Sequence, residues 1–271
     1  VLAQLTRNAE SSVEETQLEI ADAGAIPALV EWLNDPSLGP PSMAARALAD
    51  LGRDNEKTQN TIVEVGAIRP LVSMMIKGPS EAQKWAAGAV AALAEGNAVS
   101  QKTVTEEHGI PPLVELLKRQ EVVAPHENAT RALWHLSSNH ENQLAIAAEG
   151  CLLPLVWILG ADGERAKWAA AALESLSRDC TENQLALAKV GAIDPLVVLL
   201  GSDEEQSQLF AQGALLNIGA PTQENRVAVV KPLVELLEVR NAAAQMKAAE
   251  SLAILAMRSV DTRGVIAQAG A

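Results

Sequence analysis

One helical skeleton, A-x-x-A-L-x-x-L, returns along the whole chain and confines it to a repeat architecture. It occurs as Ala44/Ala47/Leu48/Leu51, Ala86/Ala89/Val90/Leu93, Ala129/Ala132/Leu133/Leu136, Ala169/Ala172/Leu173/Leu176 and Ala211/Ala214/Leu215/Ile218, with a serine version at Ala248/Ser251/Leu252/Leu255. At about 100° per residue these positions share one arc of a helix and must be core. A single copy cannot bury that arc alone, so copies must stack, and arrays of this kind grow by addition.

A second landmark precedes each copy: a Gly, an apolar pair, then usually Pro-Leu-Val. It reads Gly24-Ala-Ile-Pro-Ala-Leu29, Gly66-Ala-Ile-Arg-Pro70-Leu71, Gly109-Ile-Pro-Pro112-Leu113, Gly150-Cys-Leu-Leu-Pro154-Leu155 and Gly191-Ala-Ile-Asp-Pro195-Leu196. The last copy, Val229-Val-Lys-Pro232-Leu233, lacks the Gly. From Leu29 through Leu71, Leu113, Leu155 and Leu196 to Leu233 the steps are 42, 42, 42, 41 and 37. Gly supplies the positive φ that ends a helix, and Pro is tolerated in the first turn of the next, so each Gly to Pro step predicts a sharp corner. Ahead of the corner lies an amphipathic segment opening on Asn or a similar residue, such as Asn142-Gln-Leu-Ala-Ile and Asn183-Gln-Leu-Ala-Leu. The unit is therefore three helices, in the order short, medium, long.

This order, period and pair of signatures resemble the armadillo repeat, over essentially the whole chain and in six copies. The resemblance implies an all-α, right-handed α-solenoid (superhelix) of three-helix armadillo repeats whose third helices line a concave groove. The expected division is a partial repeat over 1–11, full repeats over 12–52, 53–96, 97–138, 139–178, 179–219 and 220–257, and a partial repeat over 258–271. Two departures stand out. The step from Leu5 to Leu51 is 46, which predicts a longer loop over Ser11 to Glu15, and the 37-residue step near Arg226 predicts a first helix shortened by about a turn. Val1 to Leu5 read as the tail of an alanine-rich helix and Gln268 to Ala271 stop at a further Gly corner; neither reads as a polar cap, which suggests an excerpt of a longer array.

Charge and cysteine content narrow the function. A formal net charge of −13 argues against nucleic acid as the main partner, because phosphate binding relies on clustered Lys and Arg. It fits either a solvated acidic outer face or an acidic groove for basic peptides. Cys151 and Cys180 lack disulfide-framework and metal-ligand spacing and suit a cytoplasmic or other reducing intracellular compartment. The sequon at Asn128 lies inside a repeated helix and is taken as chance. No apolar run is long enough to span a membrane, and no signal peptide is visible.

Candidate binding residues follow from the register of the third helix. Counted from the central Leu, positions −2 and +2 lie opposite the core, and the resemblance implies that they face the groove. They read Arg46, Gly88, Arg131, Ala171, Gly213, Glu250 and Asp50, Ala92, His135, Ser175, Asn217, Ile254. Nuclear-import adaptors of the family carry Trp at the first and Asn at the second; only Asn217 matches here, so nuclear-signal binding is not the leading expectation. Arg46, Arg131, Asp50, His135 and Asn217 could bond a peptide backbone or carboxylate, while Arg46 and Asp50 could equally pair with each other at i, i+4. Position −5 reads Met43, Trp85, Asn128, Trp168, Phe210, Lys247. Trp85, Trp168 and Phe210 are either interface anchors or fillers between repeats. Trp134, Trp32 and Trp157 are assigned to inter-repeat packing.

No catalytic constellation emerges. His108, His126, His135 and His140 show no metal spacing, no Gly-rich phosphate loop follows a strand, and no strand pattern exists to carry a nucleophile. The expected function is a non-enzymatic scaffold, without cofactor or metal, that binds an extended or helical segment of a protein or peptide partner, a small-molecule substrate being disfavoured. Similar arrays form the substrate-recognition part of U-box ubiquitin ligases and lipid-anchored armadillo adaptors, and these stand as alternatives.

Overall fold

The computed structural model describes residues 13–161 and 163–270. Among them the chain is all-α, with eighteen α-helices, one 3₁₀ turn at Pro36–Leu38 and no strand. It falls into two compact units, one ending at His135 and the other beginning at Leu136. The first unit holds α1 (Val13–Asp22), α2 (Ala25–Asn34), α3 (Pro41–Gly52), α4 (Glu56–Glu64), α5 (Ile68–Lys77), α6 (Ser80–Ala94), α7 (Ala98–Glu106) and α8 (Ile110–Lys118). The division falls near the end of α9 (His126–Leu136). The second unit holds α10 (His140–Ala148), α11 (Leu152–Ile158), α12 (Glu164–Ser177), α13 (Thr181–Lys189), α14 (Ile193–Leu199), α15 (Glu205–Ile218), α16 (Gln223–Leu236), α17 (Ala242–Arg258) and α18 (Val260–Ala269).

The alanine-rich skeleton forms the core of each unit. All of its residues are buried except Ala47, which is partly exposed. Small alanines let the long helices lie close side by side, as α3 does against α6 and α12 against α15. Each buried Leu of the skeleton contributes about 2 kcal/mol through loss of apolar surface to water. The order short, medium, long does not hold for the second helices. In the second unit α11 and α14 have seven residues against nine for α10 and α13, so the middle helix is the shortest.

Two local rules place the helix ends. Proline delays the third helix of some repeats: Pro41 and Pro125 stand two periods apart, and the residue before a proline is pushed out of the helical region. α9 accordingly has eleven residues where α6, with Gln83 at the matching place, has fifteen. Elsewhere a left-handed residue breaks the first helix from the second, with φ of 83, 87, 82 and 78° at Gly24, Gly66, Gly150 and Gly191. In the third repeat the left-handed residue is His108 at φ 56°, not Gly109, whose φ is −75°. Gly109 instead takes the place of the buried Ala67, Cys151 and Ala192. A Cβ on a left-handed residue costs about 1 kcal/mol, so His108→Gly is expected to raise the unfolding free energy by about 0.5–1 kcal/mol, read from urea denaturation.

One sequence expectation about segment length is corrected and one is extended. Ser11 and Ser12, like Val1 to Leu5, lie outside the described residues, but the segment expected as loop is helical from Val13 onward, with Glu14 and Glu15 favourably placed at the positive helix end. Near Arg226 the step from Asn225 to Pro232 is 7 residues against 12 from Asn183 to Pro195, and the loss removes the corner as well as part of the first helix. With no left-handed residue to break it, that helix runs on through Pro232 into the second as one 14-residue helix. The proline has no N–H for the Ala228 carbonyl, and the chain tolerates that loss.

A buried glutamine recurs at the repeat period, at Gln17, Gln59, Gln101, Gln143 and Gln184. Its amide closes the open carbonyls at the C-termini of the third helices. Gln59 Nε2 donates to Gly52 O and Ala92 O, both at 2.9 Å, and to Glu95 O at 3.3 Å, joining the ends of α3 and α6. Gln17 reaches Asp50 O and Arg53 O, and Gln143 reaches Ser175 O and Arg178 O. The N-cap asparagines link successive rungs, Asn55 donating to Gln17 Oε1 and Asn97 to Gln59 Oε1, both at 3.1 Å. Those asparagines also accept from Thr58 and Ser100 N–H, so one side chain caps a helix and ties two repeats.

Candidate functional site

The third helices do not expose positions −2 and +2 uniformly. Arg46 and Asp50 are exposed, whereas Gly88, Ala92, Ala171 and Ser175 are buried. The cause is the neighbouring third helix. A Cβ at Gly88 would come within 2.8 Å of Asn128 Nδ2, and one at Gly213 within 2.7 Å of Glu174 Cγ. Ser175 Oγ donates to Ser137 O at 3.2 Å. In these repeats the positions opposite the core are seams between helices, and only small residues fit there.

In the first unit a cationic cluster gathers around Trp85, which is half-buried near the start of α6. The Arg46 guanidinium carbon of α3 lies 4.9 Å from the Trp85 ring centroid, and Lys84 Nζ lies 5.1 Å from it. Glu81 Oε1 accepts the indole N–H at 2.7 Å and fixes the ring's orientation. Arg46 also faces Asp50 at 3.9 Å, a contact beyond hydrogen-bond reach between two exposed side chains. Arg53 approaches the same carboxylate at 3.5 Å. Lys84, Glu81 and Arg53 fall outside the register positions singled out from the sequence. Lys84 is the residue immediately before Trp85, so cations flanking the aromatic register are the sequence signal that points to it.

One turn of array further on, Arg131 and His135 share a face of α9. His135 is largely enclosed: its Nε2 has no hydrogen-bond partner and no contact with solvent, and its ring lies tilted by 32° against Trp134 at 4.5 Å between centroids. Burial, aided by the Arg131 charge, lowers its pKa to about 4, so the imidazole is neutral at physiological pH. Burial raises Glu95 above the usual carboxylate range, with the Asp54 charge adding to it, while Arg131 and Arg53 pull the other way. Arg131 is thus held in a field of carboxylate and cation charges along the first unit.

In the second unit the flagged residues are more enclosed. Trp168 is half-buried, and the Lys167 ammonium sits 4.7 Å from its ring centroid. Lys167 is itself buried and bridges Glu164 and, at 3.0 Å, Glu204 of the next repeat. Burial alone would lower its pKa, but hydrogen bonds to those two carboxylates outweigh it and the net shift is upward. Phe210 is half-buried on α15. Asn217 Nδ2 donates to Glu174 O and Ser177 Oγ, both at 3.2 Å, so its amide donors already tie α15 to α12.

The remaining aromatics divide. Trp32 is half-buried with an enclosed indole N–H, in keeping with packing, whereas Trp157 on α11 is 41% exposed. Cys151 and Cys180 are buried and not joined in a disulfide. Asn128 of the sequon is buried, with Nδ2 bonded to Lys84 O at 2.9 Å. Among the described residues no three His, Cys, Asp or Glu side chains gather as a metal would require, and no helix is long and apolar enough to cross a membrane.

Comparison with known proteins places the fold. No family model and no curated protein matches the chain. Among solved structures, an engineered protein is 32% identical with a TM-score of 0.82 and covers 95% of this chain, which spans 64% of that protein's length. A designed armadillo repeat protein is 30% identical with a TM-score of 0.71, covering 84% of this chain and 98% of its own. A second designed armadillo repeat protein, solved in complex with the peptide (KR)4, is 28% identical with a TM-score of 0.71 at the same coverage. With the repeated three-helix unit, the left-handed corners and these likenesses together, the chain belongs to the armadillo repeat family.

Proposed function

We propose that the chain is a non-enzymatic scaffold that holds an extended or helical segment of a partner protein against its third helices. The observation that carries this reading is Trp85, a large aromatic left half-exposed and fixed in orientation by Glu81, Arg46 and Lys84. A rigid indole offers contact area at little entropic cost, which is what an anchor requires. Arg46, Asp50, Arg131, Trp168, Phe210 and Asn217 are proposed to contribute to the same kind of surface within their own units. The complex of a designed armadillo neighbour with the peptide (KR)4 supports peptide binding as a use of this fold.

Selection of binders from a random-peptide display library tests the proposal. Peptides enriched on the wild-type chain are expected to bind Trp85→Ala about tenfold more weakly, with Trp168→Ala giving a smaller loss because Lys167 already covers part of that ring. Unchanged affinity in both folded variants would sink the aromatic-anchor reading.

A further inference from the structure

Arg46 and Lys84 are two cations beside one indole, and among the described residues neither side chain makes a hydrogen bond. The Arg46 guanidinium carbon lies over the Trp85 ring, 4.9 Å from its centroid, while its Asp50 contact of 3.9 Å is a long ion pair only. Stacking on an aromatic ring orients a guanidinium while leaving its in-plane N–H groups open, and that fork matches a carboxylate in bidentate fashion. Lys84 adds a second positive charge on the same ring. Of the two acids beside the cluster, Glu81 accepts the Trp85 N–H through Oε1, and Asp50 is approached by Arg53 as well as by Arg46.

We infer that the Trp85 cluster receives a carboxylate side chain of the bound segment, so that the first unit selects an acidic peptide. This rests on the third-helix face being the binding face, and it adds the chemistry of what binds there. The net charge of −13 works against such a ligand at long range, so any acidic peptide that binds must do so through local contacts.

The test titrates three synthetic peptides of equal length against the chain by calorimetry: alternating Asp-Glu, the same peptide with phosphoserines in place of the carboxylates, and alternating Lys-Arg. The Asp-Glu peptide is expected to bind, Arg46→Ala to weaken it about tenfold, and Arg46→Lys to weaken it less because the charge survives without the fork. Asp50→Asn is expected to tighten binding about twofold by removing the internal competitor. Arg46 and Asp50 are exposed, so these variants leave the core intact. Asp-Glu affinity unchanged in Arg46→Ala overturns the inference, as does binding of the phosphopeptide alone. Trp85-dependent binding of Lys-Arg without Asp-Glu also overturns it while leaving the binding face standing, whereas loss of the face shows as peptide affinity indifferent to Trp85.

Discussion

A Gln59→Leu variant is expected to lose about 3 kcal/mol of stability, although leucine matches the glutamine in bulk and suits a buried site. The amide closes three carbonyls, Gly52 O, Ala92 O and Glu95 O, and its own oxygen accepts from Asn97. Leucine removes the side-chain donor from all three carbonyls, in an interior where each orphaned polar group costs about 1–3 kcal/mol, while the Asn97 amide keeps its bond to Asn60 Oδ1 at 2.8 Å. Gln184→Leu is the graded control, since Gln184 Nε2 bonds the single carbonyl of Ser177 at 2.8 Å, and about 1 kcal/mol is expected there. In a repeat array the loss is local, so the readout is native-state hydrogen exchange together with urea unfolding. Faster exchange should concentrate in α3, α4, α6 and α7, whose ends the rung joins. A Gln59→Leu protein as stable as wild type would mean that these carbonyls find water instead.

That ladder also shows where the sequence stops being legible. The alanine-rich skeleton can be read because apolar periodicity reports burial directly, and nearly every residue assigned to it is buried. Gln17, Gln59, Gln101, Gln143 and Gln184 repeat just as regularly, yet a polar residue on a short amphipathic helix reads as surface unless its partners are known. Those partners are backbone carbonyls either 7 residues back or 32–36 residues ahead, which no side-chain pattern encodes. The corner at His108 escapes the pattern for a related reason. Aligning copies on glycine assumes that glycine always takes the left-handed position, and here a histidine bears that strain while Gly109 fills a tight buried place.

The candidate face is legible in part. Helical register alone places −2 and +2 away from the core, but an isolated helix has no neighbour, and in the stack Asn128 covers Gly88 and Glu174 covers the Gly213 site. What remains open in the first unit is the Arg46 and Trp85 cluster, where two flagged positions from adjacent repeats meet. Their meeting depends on how consecutive third helices are offset, information that a period in residues does not contain.

His135 should make the chain less stable as pH falls from about 6.5 to about 4. Burial and the Arg131 charge lower the folded-state pKa to about 4, whereas in an unfolded chain the imidazole titrates near its ordinary 6.5. Within that window the unfolded state takes up a proton that the folded state refuses, so stability is full above the window and drains progressively through it. Each pH unit separating the folded and unfolded pKa values is worth about 1.4 kcal/mol, and partial solvation of the ring trims the total to the order of 2–3 kcal/mol, reached near the lower limit. His135→Asn, which cannot titrate, should remove this component. Carboxylate titrations affect both proteins alike, so the difference between their urea-unfolding free energies at about pH 7 and about pH 4.5 isolates the imidazole. Parallel pH profiles would show that His135 titrates as an ordinary surface histidine. Neutrality of His135 bears on binding as well. With Nε2 enclosed and no charge at physiological pH, this residue lends no positive field to the first unit, and its attraction for an acidic segment must come from Arg46, Arg53, Lys84 and Arg131.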